Sequence, residues 1–442
     1  MATVDTSNDQ IGRAAVSKAS WRLLPLIGLG YGIAYMDRVN ISFASLQMNQ
    51  DLHFSATVYG LGGGLFFLSY AVLEVPSNLL LVRFGARRWI ARIMLTWGLL
   101  AAGMMFVKTP TEFYIMRFLL GAAEAGFFPG VVFYLMQWFP AAHRGRAISR
   151  FYVALPLSSV VMGAVAGSLL NLHGQFGLAG WQWLFLVEGL PAVILSAVIL
   201  VALPDSPAHA AWLTDDERTW IQERLSADRA ALGTVTDHSL SRALLDPRVW
   251  QLGISNLLIL GSSYAFTLSA PAVLQGATQW SATRVGFLVS VTAVFGALAM
   301  VLNGWHSDRS RERHFHTAIP LALMAGAFLA MGSSTAPWIV VPAYVVIFAG
   351  FSAVQAAFWL IPSDVFHGRF AAIGVAAIGS IGMMGSFIGP YVWGVARDST
   401  GDYQAGLLSL TLTHLVAAMI VLGVRYAARS NRAGSPVLAT TP

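Results

Sequence analysis

Twelve stretches of about 20 apolar residues, separated by short polar or Gly/Pro-marked segments, leave this chain one kind of surroundings in which to fold. At about 1.5 Å per residue, each stretch is long enough to cross the hydrocarbon core of a bilayer as an α-helix. The stretches lie near 22–44, 58–82, 89–107, 111–138, 146–171, 181–203, 249–273, 283–306, 316–334, 336–365, 370–396 and 403–427. Composition agrees, with 56% of residues hydrophobic and 11% charged, against about 25% charged in soluble domains. The sequence predicts an all-α membrane protein with twelve transmembrane helices. Residues 1–20 are polar and lack an apolar core followed by a small-residue cleavage site, so the first span is expected to direct insertion.

Orientation follows from the basic residues. Of 27 Lys and Arg, Lys108, Arg284 and Arg397 fall on one side, Arg38 and Arg117 lie inside helices, and all the others fall on the opposite side. That side is expected to be cytoplasmic and to hold both termini, in the plasma membrane or the inner membrane of a bacterium. The net charge of +6 follows from this topology and gives no reason to expect nucleic acid. Cysteine is absent, which excludes disulfides and thiolate chemistry. Lys18 and Lys108 follow Ser17 and Val107, so no Gly-Lys phosphate loop exists to use ATP, and neither H-E-x-x-H nor G-x-S-x-G occurs. The chain therefore does not read as an enzyme, and no cofactor or metal is expected. The glycosylation sequon Asn40–Ser42 lies within a span, out of reach of modification.

The spans divide into an N-terminal half (1–203) and a C-terminal half with its tail (249–442), six spans each, joined by a cytoplasmic loop at 204–248. In the loop, Thr214 and Glu217 form a capping box for a short amphipathic helix carrying Trp220, Ile221 and Leu225, expected to serve as a structural tether. After the second span comes "NLLLVRFGARR" (78–88), and after the eighth comes "GWHSDRSRERH" (304–314). An offset of 226 matches Arg83 with Arg309 and Arg87 with Arg313, as internal duplication would.

The first span carries "YGIAYMDRVNISFA" (31–44), in which Asp37 and Arg38 each cost roughly 2.5 to 3.5 kcal/mol at the centre of a bilayer. Tyr31, Tyr35, Arg38 and Ser42 recur as one helical stripe, a cation flanked by Tyr hydroxyls that suits an anion. Arg117, Gly121 and Glu124 share a face of the fourth span, with Arg117 and Glu124 about 10 Å apart along the axis. Tyr70 and Glu74 share a face of the second span, and Ser352, Gln355, Trp359 and Pro362 one of the tenth. These faces are candidates for the lining of one central cavity. Asp37 with Arg38, or Arg117 with Glu124, would also serve as a neutralising pair, although helix neighbours point about 100° apart. Glu74 and Glu188 lie near helix ends, where interfacial solvation accounts for a carboxylate as well as function does. Tyr70 and Trp359 would also serve as packing, and His414 reads as packing or a hydrogen bond rather than a proton relay. Gly385, Gly389 and Pro390, like Gly163 and Gly167, fit close helix packing and bending.

The paired basic turns resemble the loop motif of the major facilitator superfamily. "YMDRVNISFA", "RFLLGAAEAGFFPGVVFYLMQWFP" (117–140) and "GWHSDRSRER" are similar to its anion:cation symporter family, and "EVPSNLLL" (74–81) to the branch that imports phthalate, tartrate or hydroxyphenylacetate. The resemblance implies two pseudo-symmetric six-helix halves, the major facilitator fold, working as a monomer. It also implies gating by Arg83, Gly85, Arg87, Asp308 and Arg309. Val82 stands where the loop motif normally has Asp, and Gly379 where many relatives have Asn.

The expected function is proton-coupled import of a small organic carboxylate, aromatic or hydroxy-dicarboxylic, across the lipid bilayer. Arg38 is the expected substrate anchor, because its fork donates two parallel hydrogen bonds to a carboxylate, and Tyr35, Tyr70, Gln355 and Trp359 are the expected lining. Asp37 and Glu124 are the expected proton carriers, with Arg117 as the partner that holds or releases Glu124. No set of converging oxygens for Na⁺ is identifiable, which leaves the proton as the simpler coupling ion. A sugar-acid importer and a transporter-like sensor are the alternatives.

Overall fold

The structure, a computed structural model, describes residues 2–232, 245–366 and 369–433; loop positions 233–244 and the tail from 434 onward lie outside it. The helices are α1 (Ala2–Asp51), α2 (Ala56–Phe84), α3 (Ala86–Gly103), α4 (Pro110–Glu124), α5 (Phe127–Met136), α6 (Ala141–Tyr152), α7 (Ala154–Leu170), α8 (Gly180–Ala202) and α9 (Asp215–Leu232). They continue with α10 (Pro247–Thr278), α11 (Ala282–Ser310), α12 (His314–Ser333), α13 (Pro337–Phe358), α14 (Ile361–Val365), α15 (Arg369–Thr400) and α16 (Gln404–Ala433).

Among the described residues eleven segments are long and apolar enough to cross a membrane, including α4 with α5 as one span and α6 with α7 as another. The twelfth is α1, which falls short on apolarity because Asp37, Arg38 and Asn40 sit inside it. It also runs further than the apolar stretch at 22–44, because the polar residues before position 20 are helical too and pack where Ala15 and Ala19 are buried.

By internal contacts the chain forms two compact units. The first holds α1 to Met48, α2 from Leu68, and α3 to α9. Helix α9 belongs to it because Lys18 Nζ donates to Glu217 Oε2 at 2.9 Å and Asp228 Oδ2 accepts from the Ala141 amide at 2.7 Å. The Thr214–Glu217 capping box forms as read, with each side chain accepting from the other residue's amide, at 2.9 and 3.3 Å. Desolvation pushes the Glu217 carboxyl up, but the Lys18 and Thr214 hydrogen bonds and the Lys18 charge outweigh it and hold the group below the usual carboxylate range.

The second unit holds residues 49–67 and α10 to α16. The start of α2 is tied there by Asp398, which accepts from the amides of Ala56 and Thr57 at 3.0 and 2.8 Å, and by Tyr59, whose hydroxyl donates to the Leu268 carbonyl at 2.7 Å. Helices α10 and α15 meet backbone to backbone. A Cβ on Gly385 would stand 2.1 Å from the Leu257 carbonyl oxygen, and one on Gly389 2.1 Å from that of Gly261, so the close-packing role expected of both glycines is met.

Candidate functional site

The centre of the first unit is built where the fourth span breaks. Helix α4 ends on Glu124, Ala125 leaves the helical conformation, and Gly126 takes φ +85 before α5 begins. A side chain at 126 would be strained by that φ and would place its Cβ 2.5 Å from Ser77 Oγ, so glycine is what allows the break. The break leaves Glu124 fully buried at a helix C-terminus, where the peptide dipoles already concentrate negative charge. A carboxylate placed there needs a cation, and α1 supplies it.

Arg38 Nε donates to Glu124 Oε1 at 2.8 Å, and Nη2 donates to the same oxygen. The two side chains are 16% and 0% exposed, so the pair is closed on the Glu124 side and open on the Arg38 side. The Arg38 guanidinium lies 5.0 Å from the centroid of the buried Tyr70 ring, and Glu74, one turn further along α2, is within electrostatic reach of it. Arg117 is buried on α4, and its charge acts on both Asp37 and Glu124. The hydrogen bonds to Glu124 nevertheless come from Arg38. Seven helical positions separate Arg117 from Glu124 by about 10 Å of axis, whereas α1 brings Arg38 alongside.

Asp37 is 1% exposed, and its Oδ1 accepts from Asn40 Nδ2 at 3.1 Å. Tyr35 is half-buried on the same helix. Tyr31, at the head of the predicted stripe, packs into an aromatic cluster, stacked on Phe151 at 4.5 Å and tilted on Phe128 at 5.5 Å. In the second unit Gln355 and Trp359 meet as read: Trp359 Nε1 donates to Gln355 Oε1 at 3.1 Å. Gly379 lies beside them, and a Cβ there would stand 3.8 Å from the far edge of the Trp359 ring. His414 is buried, with Nδ1 2.8 Å from the Leu410 carbonyl oxygen and Nε2 3.4 Å from Ser262 Oγ, as expected of a packed and hydrogen-bonded histidine.

The two basic turns repeat one construction within their own units. Arg83 lies over Phe84 and Arg309 over Trp305, with 5.7 and 5.9 Å to the ring centroids. Arg313 Nη1 pairs with Asp308 Oδ1 at 2.6 Å, and Arg87 Nε with Asp205 Oδ2 at 3.4 Å. Val82, the counterpart of Asp308, is exposed, and Asp205 at the end of the sixth span supplies the carboxylate. Both turns pass through positive φ but not in one conformation: Gly85 has φ +87 and ψ 146, whereas at the matching position Arg311 has φ +51 and ψ 35, in the left-handed helical region. Sequence reasoning missed Asp205, whose only signal was its place in a Pro-Asp-Ser-Pro turn. It also left Glu188 unassigned and gave Asn40 no role, although both are buried beside Asp37.

Comparison with known proteins identifies the family. The sequence profile of the Major Facilitator Superfamily matches residues 27–390. A "putative tartrate transporter" of Agrobacterium vitis is 43% identical over 94% of this chain and 92% of its own length. The "putative metabolite transport protein NicT" of Pseudomonas putida is 40% identical over 96% and 97%. Among solved structures, an inward-facing bacterial homologue of the human lysosomal transporter Spinster overlays with a TM-score of 0.75 at 15% identity, covering 94% of this chain and 98% of that one, which bears on the fold alone. The chain belongs to the major facilitator superfamily, to the anion:cation symporter type that its motifs resemble, and is a multi-pass membrane transporter rather than an enzyme.

Proposed function

We propose that this transporter is a monomeric proton symporter that imports a small organic anion, an aromatic carboxylate or a hydroxy-dicarboxylate, by alternating access, with both termini in the cytoplasm. The observation that carries the reading is Arg38, bound to a fully buried Glu124, set against Tyr70 and itself still partly open. A substrate carboxylate that takes the Arg38 fork removes the cation from Glu124. A buried carboxylate stripped of its partner is several kcal/mol unfavourable, so Glu124 takes up a proton instead. Anion and proton then favour each other's binding, a reciprocal coupling of about 1 to 3 kcal/mol. Asp37 is the second proton carrier, and Arg117 supplies fixed positive charge to both acids. Tyr35 and Tyr70, with Gln355 and Trp359 from the second unit, are proposed to contact the rest of the substrate. Arg83, Gly85, Arg87, Asp308 and Arg309 are proposed to set the gate. The relative named as a tartrate transporter supports a hydroxy-dicarboxylate.

Glu124→Gln in proteoliposomes tests the reading. Gln has the shape of the protonated acid and cannot ionise, so counterflow of labelled substrate should persist while accumulation driven by a proton gradient falls. One coupled proton at 100 mV is worth about 2.3 kcal/mol, or up to roughly fifty-fold in the concentration ratio. Intact uphill uptake with unchanged pH dependence would reduce Glu124 to a structural partner of Arg38.

A further inference from the structure

The second basic turn is closed by a pair of histidines that the symport reading does not use. His306, exposed near the end of α11, and His316, in the first turn of α12, face each other across it, with His306 Nδ1 2.6 Å from His316 Nε2. The backbone beside the pair is pinned, because Asn303 Nδ2 donates to the carbonyls of His316 and Ala353 at 2.9 and 2.8 Å. His316 Nδ1 lies 3.3 Å from Glu312 Oε2, which also accepts from the Phe315 amide at 2.7 Å. An ionised carboxylate only accepts, so the His316 proton sits on Nδ1, its Nε2 is an acceptor, and His306 Nδ1 is the donor between the rings. Arg425 on α16 stands 3.6 Å from Glu312 Oε1, and His314 Nδ1 stands 3.9 Å from the same oxygen. Of the other charged groups nearby, Arg313 pairs with Asp308, Arg309 lies over Trp305, and Arg248 on α10 is held by Asp246. Helix α13 carries no charged residue. At the offset of 226 the first basic turn has Leu80, Ala86 and Ile90 in place of His306, Glu312 and His316, so this construction belongs to the second turn alone.

We infer that His306, His316 and Glu312 form a proton-binding clamp that stiffens the second basic turn when the solution on its side of the membrane is acid. Histidine is the side chain whose charge changes between about pH 5 and 8, and the nitrogen left to take a proton is Nε2 of the exposed His306. A proton there makes the bond between the rings charge-assisted, imidazolium to imidazole, and sets a cation in line with the Glu312 carboxylate. A second proton, on His316 Nε2, would put two N–H groups head to head at 2.6 Å, so the closed pair takes up one. Since that proton binds more tightly to the closed pair than to separated rings, closure is favoured as pH falls. The clamp spans 307–313, which includes Asp308 and Arg309, so closing it slows rearrangement of the turn proposed to set the gate. This rests on the symport reading above, under which each imported proton acidifies the side that carries the turn and restrains further import.

The test compares wild type with His306→Gln and His306→Lys in proteoliposomes, by counterflow with equal pH on both faces. Gln keeps an N–H for His316 Nε2 but binds no proton, whereas Lys offers a donor that is charged throughout the range. Between about pH 7.5 and about pH 6 the wild-type rate divided by that of the Gln variant should fall about fivefold, the margin of a charge-assisted hydrogen bond over a neutral one. The Lys variant should be slow at both ends of the range. The ratio cancels titration at Asp37 and Glu124, which both proteins share. Protection factors along 307–313 in detergent, which need no substrate, should rise over the same range in wild type and stay level in the Gln variant. A ratio flat in pH, a Lys variant as fast as the Gln variant, or level protection in wild type overturns the inference. Absence of counterflow with every organic anion would instead overturn the transport reading, and the protection factors then decide the clamp.

Discussion

Arg38→Lys separates the charge of the anchor from its shape. In the native pair two N–H groups of one planar guanidinium converge on a single Glu124 oxygen, Nε at 2.8 Å, and the same plane lies 5.0 Å from the Tyr70 centroid. Lysine keeps the positive charge but offers one nitrogen, which can hold a carboxylate only as a point charge and cannot stack. The second charge-assisted hydrogen bond is worth about 1.5 to 3 kcal/mol and the contact with the ring about 0.5 to 1. A combined loss of about 2 to 4 kcal/mol corresponds to a roughly 30- to 900-fold weaker substrate affinity. The assay is the half-saturation of counterflow, which needs no proton gradient, supported by calorimetric titration of purified protein with the anion. Half-saturation within about threefold of wild type, a change below 1 kcal/mol, would refute the argument that the fork binds the substrate.

Three further outcomes are expected. Gly126→Ala forces a Cβ onto a residue at φ +85 and to 2.5 Å from Ser77 Oγ, so it should cost at least about 1 kcal/mol and lower the melting temperature measured in detergent. An unchanged melt would mean that the break after Glu124 does not need glycine. Asp308→Asn removes the carboxylate that pairs with Arg313 at 2.6 Å and should slow turnover while leaving substrate affinity in place, read as a fall in maximal uptake rate at constant half-saturation. Unaltered rates would show the contact to be dispensable. Because the folded-state pKa of Glu217 is depressed, its stabilisation of α9 is present above the unfolded carboxylate value and is lost as pH falls through the lower, folded one. Protection factors along 215–232, observed exchange corrected for its intrinsic pH dependence, should therefore fall at acid pH in wild type, and Glu217→Gln should abolish that dependence; retention of it would assign the effect to another group.

Hydrophobic length and helical spacing were enough to read the spans and to bring Gln355 onto Trp359, because both depend only on the local period of the chain. The capping box at Thr214 was legible for the same reason. The identity of Glu124's partner was not, since Arg38 and Glu124 are 86 positions apart and only the packing of α1 on α4 decides between two candidate arginines. Glu188 was ambiguous because a carboxylate near a span end satisfies solvation and function alike, and only its burial next to Asn40 separates them. Asp205 escaped because it substitutes for an absent residue, Val82 standing where the motif carries Asp; such compensation joins positions that no sequence period connects.

The weak apolarity of α1 also bears on how the chain is made. Emerging from the ribosome before the fourth span, this helix meets the bilayer with Asp37 and Arg38 uncompensated, at a nominal cost of roughly 2.5 to 3.5 kcal/mol each at the bilayer centre. The carboxylate that neutralises Arg38 arrives only 86 residues later, which at about 5 to 20 residues per second is a wait of roughly 4 to 17 seconds. Until then the first helix is held at the interface or by the insertion machinery rather than by lipid. The committed bundle is then the one formed with the fourth span, so removing the Glu124 charge should leave its mark on the nascent chain before any substrate is present.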